Sequence, residues 1–336
     1  MSGELLLAGV LLVALALYLL GAGADFGGGI WDLLARGPTA KRQRDLIAHA
    51  IGPVWEANHV WLVLIVVVLF VGFPHAFSAM ATALHLPLTL MLIGIVLRGS
   101  AFTFRTYDSG RDDVQRRWGR LFAIASVGTP FMLGVCAGAV SSGRLRVDVL
   151  TGEMHSDFIT PWFSPFPFAI GAFALALCAF LAASYLTLET QEADLLRAFR
   201  SRALGAALAC GVAAWGSLLL ARTEAPHLYA GLMHRAGALP FQCTTGVVAL
   251  AAIVALWRKR YASARMLAAA QVSLVVLGWG LAQYPYLIVP DLTLTNAAAA
   301  PQVLRATLMV LAVGALVLFP ALGYLFMVFK RGTGRR

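Results

Sequence analysis

Two carboxylates in this sequence lie within or at the edge of long apolar segments. Asp25 follows an uncharged run and opens the glycine-rich stretch DFGGG, and Glu56 lies in the segment WEANHVW just before another uncharged run. A charge is expensive in lipid, so an ionisable residue in such a segment is a functional candidate by default. A desolvated carboxylate can hold and release a proton, and we interpret both residues as candidates for proton transfer.

Each carboxylate also has a purely structural interpretation. Asp25 could be an interfacial group, near the cytoplasmic end of its helix, that pairs with an arginine of the next loop. Glu56 lies where a helix is predicted to begin after Pro53, and the helix dipole favours a carboxylate in the first turn. Trp55 and Trp61 on either side of it would then be interfacial anchors. Both interpretations stay open.

Two arginines end the third predicted membrane helix. Arg98 and Arg105 lie in the segment LRGSAFTFR after an uncharged run. Cations at a helix C-terminus on the cytoplasmic side need no function to explain them. However, Arg98 is predicted to lie at the same membrane face as Asp25 and Glu56, so it is placed to pair with either carboxylate.

Histidine and cysteine residues give little sign of a metal or haem centre. His85 is the single histidine predicted to lie in the middle of a span, and a satisfied polar contact is the simpler explanation for it. The four cysteines each stand alone in an apolar stretch, which predicts small buried hydrophobic side chains: Cys136, Cys178, Cys210 and Cys243. The sequence therefore predicts no metal ligated by this chain.

The elements that must position these residues are membrane-spanning helices. The 336 residues are 60% hydrophobic and 12% charged, against about 25% charged in soluble domains. Ala57–Leu97 is long enough for two spans, with a turn at Gly72-Phe73-Pro74, because one span needs about 20 residues. We predict an all-α, polytopic membrane protein with about nine helices that form one integral-membrane domain over residues 1–336. The other predicted spans are Leu5–Ala24 (extending as far as Leu34), Leu121–Gly143, Phe158–Leu188, Ala203–Ala221, Ala236–Trp257, Met266–Pro290 and Ala306–Phe329.

The basic residues predict the orientation of these spans. The net charge is +10, but the basic residues form short clusters between uncharged runs, which is typical of membrane loops and not of a nucleic-acid-binding surface. With the N-terminus outside and the C-terminus in the cytoplasm, 21 of the 26 Lys and Arg residues fall on the cytoplasmic side. An even number of spans, or the reverse orientation, would spoil this asymmetry.

Five segments, taken in order, resemble subunit II of the cytochrome bd family of quinol oxidases. They run from the first predicted helix to the last, so the resemblance covers essentially the whole chain. The second and fifth segments are the most specific. The five segments are Gly23–Gly29 (GADFGGG), Gly52–Leu62 (GPVWEANHVWL), Phe70–Phe77 (FVGFPHAF), Leu97–Arg105 (LRGSAFTFR) and Tyr284–Pro301 (YPYLIVPDLTLTNAAAAP).

The resemblance implies a nine-helix subunit of the bacterial inner membrane that pairs with a haem-bearing subunit I, often with a small single-helix subunit. Haem b and haem d would belong to the partner, which would oxidise quinol and reduce O2 to water. Asp25 and Glu56 match acidic residues implicated in proton transfer or quinone contact. Arg98 matches their basic neighbour, and Trp61 matches a tryptophan beside the oxygen or proton route. The family often has Asp where this chain has Glu56.

Two other interpretations remain at this stage. A secondary transporter would carry ionisable groups at the bilayer midplane, in broken helices of inverted repeats. The acidic candidates here cluster at one predicted membrane face, which disfavours that class. The other alternative is a structural scaffold whose carboxylates are only ion-paired.

Overall fold

The computed structural model describes residues 2–51, 55–107, 112–149 and 152–333, and within them the chain is almost entirely helical. A short antiparallel hairpin, β1 (Tyr286–Ile288) and β2 (Leu292–Thr293), separates the last two helices. The helices are α1 (Gly3–Leu33), α2 (Ala40–Ile51), α3 (Trp55–Gly72), α4 (Pro74–Ala83), α5 (His85–Tyr107), α6 (Asp112–Ser141), α7 (Pro165–Leu186), α8 (Ala193–Glu224), α9 (Pro226–Met233), α10 (Ala238–Trp257), α11 (Tyr261–Gln283) and α12 (Pro301–Thr333).

The number of membrane spans agrees with the prediction. In the described part of the chain, eight helices are long and apolar enough to cross a membrane, and the bent pair α3 and α4 makes up to nine. The direction of the chain changes by 118° between these two helices. Phe73 has non-helical dihedral angles and Pro74 begins α4, as expected because proline disfavours a helical conformation in the residue before it. The predicted turn at Gly72-Phe73-Pro74 is therefore confirmed.

A second break, at Leu84, corrects the predicted third span. The helix that follows the turn ends at Ala83, and the long helix α5 begins at His85. His85 is thus not in the middle of a span, as the sequence suggested. It is exposed at the first residue of α5, with Nδ1 2.9 Å from the Thr82 carbonyl oxygen. Pro87 suits the first turn of a helix and was the available sequence signal.

Helix α1 lies at the centre of the fold, in contact with α3, α6, α7 and α11. Its glycine-rich stretch is helical throughout, which confirms the predicted extension towards Leu34. A Cβ atom on Gly27 would overlap the backbone carbonyl of Cys178 in α7, and one on Gly29 would overlap the side chain of Ser126 in α6. Glycine at these positions allows the helix backbones to approach closely, as at other membrane helix interfaces.

The cysteine prediction is confirmed for three residues and wrong for the fourth. Cys136, Cys178 and Cys210 are buried, and Cys243 is exposed on α10. All four are free thiols. Periodicity could not place Cys243, because α10 is apolar on every side and carries no polar face to mark its orientation.

The segment after α11 is an ordered cap over the helix ends. The Asp291 carboxylate accepts hydrogen bonds from Arg146 Nε and from the Val147 backbone N–H, both at 2.9 Å. Gln283 Nε2 donates to the Leu287 carbonyl at 3.0 Å, and Trp279 Nε1 donates to Ser141 Oγ at 2.9 Å. These contacts tie the hairpin to the loop after α6.

Candidate functional site

The central polar feature is a buried ion pair between α1 and α5. Arg98 Nη2 donates a hydrogen bond to Asp25 Oδ1. The exposed fractions of the two residues are 2% for Arg98 and 4% for Asp25, so water contributes little to their solvation. Of the two pairings that the sequence allowed for Arg98, the structure brings it to Asp25.

Arg98 is held from several directions. Its Nε donates to Ser126 Oγ at 3.0 Å, and that hydroxyl donates in turn to the Phe122 carbonyl at 2.7 Å. The guanidinium carbon lies 5.0 Å from the Phe26 ring centroid and 4.9 Å from that of Phe122. Both distances are within the range of cation–π attraction. The guanidinium is thus fixed by a carboxylate, a hydroxyl and two aromatic rings.

Asp25 retains hydrogen-bonding capacity on its other oxygen. Among the described residues, Oδ2 is buried and has no hydrogen-bond partner, and the same holds for the hydroxyl of Tyr18. Asn58 of α3 is buried against Gly21, one turn before Asp25. His59 is close enough to interact electrostatically with Asp25 and Arg98. Buried polar atoms without a partner are rare in folded proteins, so these two oxygens call for an explanation.

The ion pair lies inside its helices and not at their ends. Helix α1 continues to Leu33 and α5 to Tyr107, so Asp25 and Arg98 are each about two turns from the helix end. One sequence expectation is therefore wrong: Arg98 does not end the third predicted helix, because α5 continues to Tyr107. The arginine that pairs with Asp25 comes from α5 and not from the loop after α1.

The remaining predicted residues have varied outcomes. Glu56 belongs to the first turn of α3, but its side chain lies outside the described part of the structure, as does that of Arg105. Trp61 is half-buried in α3, and its ring centroid lies 6.5 Å from that of Phe319 in α12. The structure thus brings Asp25, Arg98 and the Asn58–His59 turn together. Trp61 instead packs against α12.

Sequence reasoning missed a second buried carboxylate on α1. Asp32 is 4% exposed, and its Oδ1 lies 3.9 Å from Nε of Arg44 in α2. Tyr18, Asp25 and Asp32 are spaced by seven residues, which places them on one face of the helix. That spacing was the signal available in the sequence. The Ser126 contact gave no such signal, because a serine in an apolar helix is common.

The described residues do not fit a haem or metal centre of this chain. Within the described ranges, no group of three or more His, Cys, Asp or Glu side chains could hold a metal ion. The larger of two described cavities has a volume of about 350 Å³ and is lined by no His, Met or Cys side chain. The smaller, of about 30 Å³, is almost entirely apolar. The larger cavity therefore offers no axial ligand for a haem iron, and the smaller, although Cys178 lines it, is far too small to hold a haem.

Comparison with known proteins gives one consistent picture. The family model of cytochrome bd terminal oxidase subunit II matches residues 3–329. A Bacillus subtilis protein named as a cytochrome bd menaquinol oxidase subunit II is 24% identical over 327 residues, which cover 94% of this chain and 92% of that protein. The cytochrome bd-I ubiquinol oxidase subunit 2 of Escherichia coli is 26% identical over 191 residues, or 55% of this chain and 48% of that one.

The fold has a counterpart among solved structures. A chain of the bd oxidase from Geobacillus thermodenitrificans superposes with a TM-score of 0.80 and 21% sequence identity. The match covers 98% of this chain and 99% of the other. The two chains therefore share the arrangement of their helices over their whole length.

Proposed function

The chain belongs to the family of cytochrome bd terminal oxidase subunit II, and on this premise we propose that it stabilises a haem-bearing subunit I and supplies that partner with protons. It is a multi-pass membrane subunit of a quinol oxidase complex, and the transporter alternative has no support. The complex would sit in the bacterial inner membrane, oxidise quinol and reduce O2 to water. Its relatives are named for menaquinol and for ubiquinol, so we propose only a quinol as the electron donor.

Haem b and haem d would belong to the partner subunit. Alone, the subunit would be catalytically silent. A small single-helix subunit and a bound quinone at Asp25, Arg98 and Trp61 are further expectations that come from the resemblance.

The buried Asp25–Arg98 pair is the observation that carries the proton role. A carboxylate with one oxygen bound to arginine and the other without a described partner can take up and release a proton at that second oxygen. Glu56, Asn58 and His59 follow each other at the start of α3, and Asn58 and His59 lie beside this pair. We assign Glu56 and Asp25 as successive proton-transfer groups and Arg98 as the residue that positions Asp25.

The direction of proton uptake follows from the proposed orientation. With the C-terminus in the cytoplasm, the ends of α1 and α5 nearest to the pair are cytoplasmic. Because Arg98 lies inside α5, it no longer counts among the basic residues of the cytoplasmic loops. The other Lys and Arg residues keep the same strong asymmetry between the two membrane faces. The protons would therefore come from the cytoplasm.

The partner would cover the face that α3, α5 and α12 expose. Helix α12 carries a long row of exposed apolar side chains, with Leu316 at 77% and Val310 at 71% exposed. It packs on α1 and α3, close to Trp61. Lipid also covers exposed apolar side chains, but the span of α12 is 0% buried, whereas the other single-helix spans are 17–56% buried, and α12 adjoins the proposed proton site. The same face would bring Asp25 nearest to the partner.

Co-purification tests the assignment to a bd oxidase complex. A tagged form of this chain, isolated from native membranes in mild detergent, should bring a partner with haem b and haem d absorption bands. A preparation without haem bands would contradict the assignment.

Substitution of Asp25 by Asn tests the proton role. We expect Asp25→Asn to lower quinol oxidase turnover per haem by at least about tenfold, because general acid–base catalysis contributes about 10²–10⁴-fold. Asp194→Asn is the matched control, since Asp194 pairs with Arg197 on the exposed start of α8. Full haem content with wild-type turnover in Asp25→Asn would rule out the role.

Glu56 gives a second, independent test. Glu56→Asp keeps a titratable group and should retain substantial turnover, whereas Glu56→Gln should slow it with the haem bands intact. If Glu56→Gln fails to assemble, the scaffold interpretation gains instead. If it assembles fully and turns over at the wild-type rate, Glu56 has no part in proton transfer.

A further inference from the structure

A cleft of about 350 Å³ opens between α9, α10 and α11. Its volume is within the range of ligand pockets, about 300–1,000 Å³. The walls are mostly apolar side chains and glycines, including Leu232, Phe241, Gly231 and Gly278. None of the residues that line it belongs to the proposed proton site, so the proposed function leaves it without a role.

Arg235 supplies a fixed positive charge to this cleft. Its Nη1 donates to the carbonyl oxygens of Leu281 at 2.7 Å and Tyr284 at 2.9 Å, at the end of α11. Its guanidinium carbon lies 5.0 Å from the Tyr284 ring centroid. These contacts hold the side chain in place but use only one of its nitrogens. The other N–H groups have no acceptor among the described residues, and the side chain is exposed.

The N-terminus of α10 adds a partial charge of the same sign. Gly237 caps this helix of 20 residues, with φ at +84°, and both Gly237 and Ala238 line the cleft. The Ala238 N–H donates to the Arg235 carbonyl at 2.9 Å, and residue 240 is a proline without an N–H. The helix start therefore contributes the positive end of its dipole, which favours anions, and not a row of free N–H donors. The polar end of the cleft therefore suits a phosphate, which arginine binds well.

We propose that this cleft binds a membrane phospholipid, with its phosphodiester at Arg235 and the start of α10 and an acyl chain along the apolar wall. The cleft lies where α10 begins and α11 ends, which is where lipid headgroups would meet the helices. Leu281, which lines the cleft, is 54% exposed, so the apolar wall of the cleft opens towards the lipid.

The two parts of the cleft together select this occupant. A quinone carbonyl can accept a hydrogen bond from Arg235, but a quinone carries no negative charge to balance the guanidinium. A free phosphate ion would satisfy those donors and leave the apolar wall empty. A phospholipid matches both parts of the cleft. Its phosphate can bind at Arg235 while its acyl chain lies along the apolar wall.

Native mass spectrometry of the whole oxidase complex tests the proposal. The complex is delipidated in maltoside detergent and titrated with dioleoyl phosphatidylglycerol. We expect one lipid to remain on the wild type and to bind at least about tenfold more weakly to Arg235→Ala. Ala238→Phe should weaken binding similarly, because it fills the cleft and keeps Arg235. This second variant separates lipid loss from any misfolding caused by the loss of the Arg235 contacts to α11.

Arg222→Ala is the matched control. Arg222 is an exposed arginine over another tyrosine, 5.9 Å from the Tyr229 ring centroid, and it does not line the cleft. It should retain the lipid. Equal retention by wild type, Arg235→Ala and Ala238→Phe would overturn the proposal. Full displacement of the lipid by millimolar inorganic phosphate would also overturn it, as would the mass of a quinone in place of a phospholipid.

Discussion

At the scale of single residues, the Asp25–Arg98 pair joins a structural and a chemical role in one contact. Removal of one partner from a buried ion pair leaves the other charge uncompensated and costs about 3–5 kcal/mol. Loss of both charges costs less, since no charge is then left without a partner. The two roles can therefore be separated by single and double substitutions.

We expect Arg98→Gln to lower the yield of assembled complex sharply, because it leaves Asp25 buried without its cation. The double variant Asp25→Asn with Arg98→Gln should recover much of the assembly, measured as haem per mole of subunit. Its turnover should stay low, because the titratable group is absent. If the double variant assembles no better than Arg98→Gln, the pair does not stabilise the fold through its charges.

The sequence was informative about which residues matter at this scale, and less so about their surroundings. An arginine and an aspartate in apolar segments are visible as exceptions, so their pairing could be anticipated. The contacts of Arg98 with Phe26, Phe122 and Ser126 could not, because these residues are ordinary in membrane helices. The seven-residue spacing of Tyr18, Asp25 and Asp32 on α1 could have predicted the buried Asp32, which was missed.

At the scale of elements, the glycines of α1 decide how closely its neighbours approach. Gly27 lies against the backbone of α7, which cannot move as a side chain can. Gly9 on the same helix has no atom within 4 Å of the place where a Cβ would lie. The two positions therefore form a matched pair for a packing experiment.

We expect Gly27→Ala to destabilise the complex by about 1–3 kcal/mol, the usual cost of overpacking a tight interface. Gly9→Ala should be neutral or slightly stabilising, because alanine favours helix by up to about 1 kcal/mol over glycine. Thermal unfolding of the purified complexes measures both. An equal midpoint for Gly27→Ala and the wild type would show that α1 and α7 do not pack this closely.

The helix boundaries show where sequence reasoning reached its limit. The turn at Phe73 was predicted because Gly and Pro mark it. The break at Leu84 was not, because Pro87 is its one signal and the uncharged run continues through Ala83, Leu84 and His85. The lengths of the uncharged runs predict how many helices cross the membrane. They do not predict where an apolar helix breaks, because both halves of a broken helix have the same composition.

At the scale of the whole molecule, the exposed surface predicts two properties, the orientation in the membrane and the face that contacts the partner. Both follow from surface patterns: the distribution of basic loops for the first, and the exposed row of α12 for the second. Neither depends on the chemistry of the Asp25 site.

Reporter fusions test the orientation. A reporter fused after Arg336 should be active in the cytoplasm, and one inserted near Ser142 should be active only outside, because basic loops stay on the cytoplasmic side. An external C-terminal reporter would mean that the number of spans is wrong by an odd number.

A pair of bulky substitutions tests the partner face. We expect Leu316→Trp on α12 to reduce co-purification of haem, because a larger side chain would disrupt close packing against the partner. Leu208→Trp on α8, where leucine is 69% exposed, should have no such effect because lipid accommodates the ring. Equal haem content in both variants would place the partner on another face.

The separation of Asp25 and Arg98 by 73 positions in the chain has a consequence for biogenesis. A ribosome that adds about 5–20 residues per second needs roughly 4–15 seconds to make the intervening segment. During that interval α1 carries its carboxylate without the arginine that later neutralises it, and a charge at that depth opposes insertion. The uncharged run Leu5–Ala24 therefore has to offset a cost of about 2.5–3.5 kcal/mol, unless Asp25 enters the membrane as a neutral acid, until α5 arrives.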